Sequence, residues 1–407
     1  MKKQGYAIRS YTRQLRYRDQ APILKTREMF DAILAFYFER LRACPELIAL
    51  SNQKALRQLE VMTIPVKNGP PVPTPLPWQG VPLYFRRAAI NTALSLYRSA
   101  VSREENSMPD AKSLRGKMVY YKGMYRGLDD RHIEMKWFDG EKWFWEKHRH
   151  TGRDFPEDSQ IMSPTVSIKG KAVLLQFSVK IPVADARNIR ERVQDGASFC
   201  AVALTGGDSL AVCTMMDAAG QVSVPYFIKG GDFLKHRRKL LLDAVNFAHK
   251  SARDQALLEK VKRLNDDAAQ RVSREIVDYA QNHGARIIVV PDLSESLEKN
   301  RQYFIKGSPW AFIGRRIVRY AKEKAWQAGI VVAERRPYYA SNYCYYCGEK
   351  VKKCNAPGEI PKENLYGGKN IVCPNGHQGS AALNMARNMA RAFYEKNYQA
   401  ASSENKI

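Results

Sequence analysis

The chain has 407 residues, of which 44% are hydrophobic and 10% aromatic, enough to bury more than one core and to form about two to four folding units. Lysine and arginine total 66 against 41 aspartates and glutamates, a formal charge of +25. A surplus of that size points to a polyanionic partner, above all nucleic acid, with a ribosome-like structural protein as the bland alternative. No run approaches the ~20 apolar residues of a membrane helix, which argues against helical membrane classes.

The opening MKKQGYAIRSYTRQLRYRD has neither the apolar core nor the cleavage site of a signal peptide, so the expected location is the bacterial cytoplasm, near the nucleoid. Residues 5–17 alternate weakly and read as a first strand. Ile23, Met29, Ile33, Phe36, Phe38 and Leu41 recur at helical spacing over 21–45, and a second helix is expected at 52–62. VKNGPPVPTPLPWQGVP is a proline-rich loop that cannot be helical, and it leads into a helix over 84–103. From about 114 to 182 short aromatic and β-branched runs alternate with turn residues, which suggests a small antiparallel barrel. Residues 1–17 can add a strand to it, making the helices an insertion.

Three strands follow in SFCAVAL, SLAVCTMMD and QVSVPYFIK. Then come a long basic helix over 233–282, the buried strand IIVV ending at Pro291 and Asp292, a helix over 310–327, the strand GIVVAERR and a closing helix from Ser380. This is the order of an RNase H-like fold, and the tail AASSENKI reads as disordered. The fold class expected is therefore α+β and multidomain. The domains expected are a first barrel strand at 1–18, a helical domain at 19–111, a barrel at 112–196, an RNase H-like domain at 197–343, a zinc ribbon at 344–379, and a closing helix and tail at 380–407.

Seven cysteines are an odd number, and four of them cluster, which favours a metal over disulfides. Cys344-Tyr-Tyr-Cys347-Gly is a zinc knuckle half. Its partner, Cys373-Pro-Asn-Gly-His377, lacks the usual second cysteine. Ligation of structural zinc by Cys344, Cys347, Cys373 and His377 is chemically sound, with Cys354 as an alternative fourth ligand. The other alternative is a collapsed ribbon without metal.

Residues 272–293, VSREIVDYAQNHGARIIVVPDL, and 316–348, RIVRYAKEKAWQAGIVVAERRPYYASNYCYYCG, resemble the RuvC domain of transposon-encoded TnpB nucleases and of the miniature type V CRISPR effectors. AALNMARNMA resembles that family's closing Asp-x-Asn-Ala-Ala-x-Asn helix. The resemblance is specific over 197–395. It implies three carboxylates holding two Mg²⁺ ions for phosphodiester cleavage. Matched to the family's motifs, the first position is Ala203, the second Pro291 and the third Ala382. All three carboxylates are replaced, so no catalytic Mg²⁺ is expected. Asp292 and Asp208 are the nearest substitutes, but a one-residue slip along a strand turns a side chain to the other face.

The resemblance implies a guide RNA and a double-stranded DNA target as partners, with a homodimer or a recruited protein partner also compatible. The expected function is a nuclease-dead, RNA-guided DNA-binding protein acting by occupancy. Its rivals are an active nuclease with displaced carboxylates and a guide-independent accessory protein of a mobile element. Lys229, Lys235, His236, Arg237, Arg238 and Lys239, with Arg315, Arg316 and Arg319, can neutralise phosphates or form a solvated helix face. Arg86, Arg87 and Asn91 are groove-reading types at helical spacing. They either read a short flanking motif, as the resemblance implies for this region, or grip RNA or a carboxylate within the domain. Trp137, Phe138, Trp143, Phe144 and Trp145 either stack on bases or fill the barrel core.

Overall fold

A computed structural model describes residues 5–66, 69–102, 108–247, 251–293, 309–336, 340–356, 358–363, 365 and 368–399, with the backbone alone at 309–312. The tail at 400–407 lies outside the described residues. The chain divides into two compact units, 8–181 and 182–407, the latter joined by residues 1–7.

In the unit 8–181 the first strand, β1 (Tyr6–Arg16), runs within an eight-stranded antiparallel sheet. The other strands are β2 (Met118–Val119), β3 (Tyr125–Arg126), β4 (His132–Phe138), β5 (Trp143–Gly152), β6 (Gln160–Ile161), β7 (Thr165–Lys169) and β8 (Ala172–Pro182). Their order is β2-β7-β8-β1-β5-β4-β3, with β6 on β8. The first strand therefore joins the barrel-like sheet, as its alternation suggested.

Between β1 and β2 lie three helices: α1 (Ala21–Ala43), α2 (Asn52–Thr63) and α3 (Leu83–Val101). Ile23, Phe30, Ile33, Leu34, Tyr37, Phe38 and Leu41 make one buried stripe on α1. The alanines at 88, 89 and 93 are buried on α3, whose small side chains let the two helices approach. Pro22 sits in the first turn of α1, where its missing N–H costs nothing. Of the aromatic run, Trp137 is fully buried and donates from Nε1 to His148 Nε2 at 2.7 Å. Trp143 and Phe144 pack against the same core, and the Arg126 guanidinium lies 4.3 Å over Trp145. These rings are mainly a core.

The second unit is built on a five-stranded sheet, β11-β10-β9-β12-β13. Its strands are β9 (Phe199–Leu204), β10 (Ala211–Met216), β11 (Tyr226–Ile228), β12 (Ile287–Pro291) and β13 (Val331–Arg335). The first three are antiparallel; β12 runs parallel to both β9 and β13. The helices are α4 (Ile189–Gln194), α5 (Gly231–Asp243), α6 (Ala252–Asn282), α7 (Pro309–Gln327) and α8 (Ala381–Tyr394).

Alternation assigns the faces. Cys200, Val202, Ile288 and Val290 pack with α6 and α7, whereas Phe199, Ala201, Ile287 and Val289 pack with α8. Both faces are covered, which is why these strands read as continuous apolar runs.

One expectation needs correction. The basic stretch 233–282 is not one helix, because α5 ends at Asp243 and α6 starts afresh. Ser251 and Asp254 form a capping box there, and the Asp254 carboxylate also accepts the Asn246 N–H. The division between the two compact units falls at 181. Residues after it belong with the second unit, where Val183 donates to the Gly5 carbonyl and the buried Arg192 binds four backbone carbonyls.

Candidate nucleic-acid interface and metal centre

Parallel pairing sets Ile287 beside Phe199, Ile288 beside Cys200 and Val289 beside Ala201. Continuing that register two residues puts Ala203 level with Pro291. Both are buried, and both fall on the sheet face covered by α8, which begins Ala381-Ala382. Ala203 and Pro291, two of the positions matched by resemblance to family carboxylates, thus share one sheet face, and the third, Ala382, lies in the first turn of the helix that covers it.

The nearby acids are engaged elsewhere. Asp208 pairs with Lys229 at 3.3 Å in the turn after β9. Asp292, Glu334 and Glu395 line a cavity of about 840 Å³ beside α8. Glu334 is 2.6 Å from Lys322, and Arg335 faces Glu395. Among the described residues one group of His, Cys, Asp or Glu is close enough to share an ion, and it is not this one.

That group is Cys344, Cys347, Cys373 and His377, whose donor atoms lie within 4.8 Å of one another. Cys344 Sγ is 3.6 Å from His377 Nδ1, and Cys347 Sγ is 3.3 Å from Cys373 Sγ. These separations suit a tetrahedral ion with bonds of about 2.0–2.3 Å. The knuckle stands on a three-stranded sheet of β14 (Lys352–Cys354), β15 (Asn370–Val372) and β16 (Gln378–Ser380). Gly348 and Gly376 follow the two ligand turns at φ 79° and 84°, where a side chain would be strained. The backbone N–H of Glu349 holds the Cys347 thiol down at about 6, and burial pushes Cys373 up. Cys354 is buried on β14 and is not part of the tetrad, so His377 is the fourth donor.

In the first unit Arg86 and Arg87 meet a carboxylate within their own domain. Glu60 on α2 accepts from Arg87 Nε and Nη2 at 3.0 and 2.9 Å and from Arg86 Nη2 at 3.1 Å. Burial opposes ionisation of Glu60, yet the hydrogen bonds from Arg87 and Arg86 hold its carboxyl below the ordinary range. Arg86 is mostly buried and serves the fold, whereas Arg87 remains 37% exposed.

Arg87, Asn91 and Tyr121 are shared by two adjoining cavities of about 560 and 470 Å³. Asn91 Nδ2 donates to the Tyr121 hydroxyl at 3.2 Å. Asn52, Arg57, Lys122, Gln160 and Lys180 complete a polar groove. Glu60, Tyr121, Gln160 and Lys180 were not found from sequence, because they come from α2, from the loop after β2 and from strands far along the chain.

On α5, Arg237 and Lys239 are exposed, Lys235 pairs with Asp232 at 3.6 Å, and burial lowers the pKa of Arg238. On α7, Arg315 donates to the Leu293 carbonyl, Arg316 is 3.4 Å from Asp266, and Arg319 lies 4.7 Å over Tyr320. The structure therefore spreads the basic residues over separate elements rather than one cluster.

A model of the Aq_aa04 family matches residues 9–139. A curated protein described as the CRISPR-associated endodeoxyribonuclease Cas12f1 of Syntrophomonas palmitatica is 30% identical over 160 residues, 38% of this chain and 30% of that protein. The chain is homologous to the Cas12f1 effectors. A second Cas12f1, from Sulfoacidibacillus thermotolerans, is 28% identical over 128 residues, 29% of each chain. The matched segments thus span less than a third of these relatives.

The fold is similar to that of Cas12f1 in a complex with single-guide RNA and target DNA, with TM-score 0.56, 15% identity and coverage of 91% of this chain and 81% of that one. It is equally similar to the mini-RNA-guided endonuclease CRISPR-Cas_phi3, with TM-score 0.56, 10% identity and coverage of 96% and 93%. No described helix is long and apolar enough to cross a membrane.

Proposed function

We propose that this Cas12f1 homologue is an RNA-guided DNA-binding protein that has lost its RuvC-type nuclease and acts by staying on its target. One observation carries the reading: two buried, uncharged residues, Ala203 and Pro291, stand level on adjacent strands where the resemblance calls for carboxylates. Two divalent ions about 3.5–4 Å apart need several anionic oxygens between them. Among the described residues, no group of three or more acids, histidines or cysteines beside Ala203 and Pro291 has donor atoms close enough to share an ion.

The other parts suit occupancy. The formal charge of +25 favours a guide RNA and duplex DNA as ligands. In such systems base pairing supplies sequence recognition and the protein reads a short flanking motif. The groove at Arg87 and Asn91 is the reader: Glu60 fixes the Arg87 fork before DNA arrives, and both side chains suit base edges. The Cys344, Cys347, Cys373 and His377 tetrad holds one structural zinc.

The test starts from purified full-length protein. Co-purifying RNA should contain a constant scaffold and a variable end. Matched duplex DNA should be retained only with that RNA, and stay uncut in Mg²⁺ or Mn²⁺. Guide-dependent cutting that is abolished by Asp292→Ala or Asp208→Ala would show a displaced active site and overturn the proposal. Equal retention of unrelated DNA without RNA would favour a guide-independent factor.

A further inference from the structure

The closing helix α8 grips the knuckle with four polar residues at helical spacing: Asn384, Arg387, Asn388 and Arg391. Asn384 accepts the Tyr345 N–H at 2.8 Å and donates to the Tyr343 carbonyl at 2.7 Å. Asn388 donates to the carbonyls of Ala340 and Tyr343. Arg391 donates to the Tyr345 carbonyl and lies 4.6 Å over its ring. These three hold the loop.

Arg387 reaches further. It donates to the Tyr346 hydroxyl and sits 5.6 Å from the centre of that ring. The Tyr346 ring is 58% exposed and stacks on the His377 imidazole, centroids 5.1 Å apart and planes at 29°. An exposed tyrosine gains little by burial here, so its ring is set by contacts: the Arg387 guanidinium, the His377 imidazole and the edge of the Tyr345 ring, 5.4 Å away.

We propose that Arg387, acting through Tyr346, is the positioning residue for His377 as a metal ligand. Gly376 stands where the usual knuckle has its second cysteine, and the imidazole of His377, one position further on, supplies that donor. A thiolate binds from a wide range of torsions, but an imidazole offers its lone pair only in the ring plane. A metal-bound histidine therefore depends on contacts that set its ring. Here Nδ1 faces Cys344, and the stacked phenol keeps the plane in that orientation. This inference rests on the reading of the tetrad as a zinc site.

The test measures zinc retention against a graded chelator in the full-length protein, and the visible spectrum after replacement by cobalt(II). Wild type should hold about one zinc per chain. Arg387→Met and Tyr346→Leu should each weaken retention by about 10–100-fold and shift the cobalt bands, as changes around bound ligands do. Tyr346→Leu removes a surface ring and serves where Arg387→Met folds poorly. Arg391→Met, which loosens the loop without touching Tyr346, should retain zinc nearly as wild type and keep its cobalt spectrum. Wild-type retention and spectrum in Arg387→Met and Tyr346→Leu would overturn the inference. So would an equal loss in Arg391→Met, since a general grip on the loop would then suffice. Zinc-free wild type would instead sink the ligand assignment itself.

Discussion

Arg192 shows how one side chain can tie strand entries together. It is fully buried and donates to the carbonyls of Asp185, Arg187, Arg286 and Gly329, at 2.6–3.0 Å. Arg286 and Gly329 immediately precede the segments that form β12 and β13. Arg192→Met should leave buried carbonyls without their donor while Asp185 keeps Arg187, costing about 1–3 kcal/mol. Denaturant unfolding of the unit containing residues 182–407 checks this; a loss below about 1 kcal/mol would contradict it. Glu60 makes the corresponding point for function. If the Arg87 groove reads a flanking motif as proposed, Glu60→Gln, which removes the charge and one acceptor oxygen, should loosen Arg87 and lower discrimination for that motif more than total DNA affinity, as competition binding with motif variants would read. Neither role was legible in the sequence. Arg86 and Arg87 announce themselves as cations, but their carboxylate lies 26 and 27 residues earlier, and nothing local pairs them.

At the scale of elements, strands and long periodic helices were readable, because burial on one or both faces dictates their residue pattern. The helix break after Asp243 was missed although its signal was present. Ser251-Ala-Arg-Asp254 is a capping-box sequence, outweighed by the basic helix-forming residues on either side. The polar stripe at 384, 387, 388 and 391 was also readable as spacing, but its target, the knuckle, lies about 40 residues away.

Two glycines offer a matched test of local geometry. A Cβ on Gly231, at the start of α5, would lie 1.9 Å from the Gly207 carbonyl oxygen, so backbone must move. Gly284, which follows α6 at φ 72°, has nothing within 4 Å. Gly284→Ala should cost only the left-handed strain, about 1–2 kcal/mol. Gly231→Ala should cost more, through displacement of the turn that carries Asp208. Thermal unfolding that ranks them the other way would refute the contact.

At the scale of the whole molecule, pH and salt should separate folding from binding. In the unit 8–181, burial lowers the pKa values of His148 and His150. Glu146 pulls His148 the other way but does not prevail, while Arg13 adds to the effect at His150. His148 Nε2 must keep its lone pair to accept from Trp137. Unfolded histidines take up protons near pH 6.5, whereas these folded ones resist until lower pH. The unfolded state thus binds more protons in that window, and this unit should lose stability as pH falls from about 6.5. Urea midpoints at pH 7.5 and pH 5 check the sign. Asp185 works in the other unit and in a more acidic range. The Arg187 guanidinium beside it holds its carboxyl at about 2, so its contribution is present above the ordinary aspartate range and is lost as pH drops toward 2. Binding should respond to salt instead. If Arg237 and Lys239 meet phosphates, the double change to glutamine should reduce the slope of log affinity against log salt by about 2. An unchanged slope would return that helix face to solvent.

The level placement of Ala203 and Pro291 bears on how this lineage can change. Two of the four alanine codons lie a single base from an aspartate codon, but every proline codon lies at least two bases from those of glutamate. On the proposed reading, a lone acid restored at Ala203 would be a buried charge without a metal, and selection would see only its cost. A glutamate in place of Pro291 alone would likewise gain no cleavage, since one carboxylate does not assemble a pair of ions. On that reading each first step back is uphill, and the strands would act as a ratchet: descendants would be free to refine where they bind, while the path back to cutting would close one residue at a time.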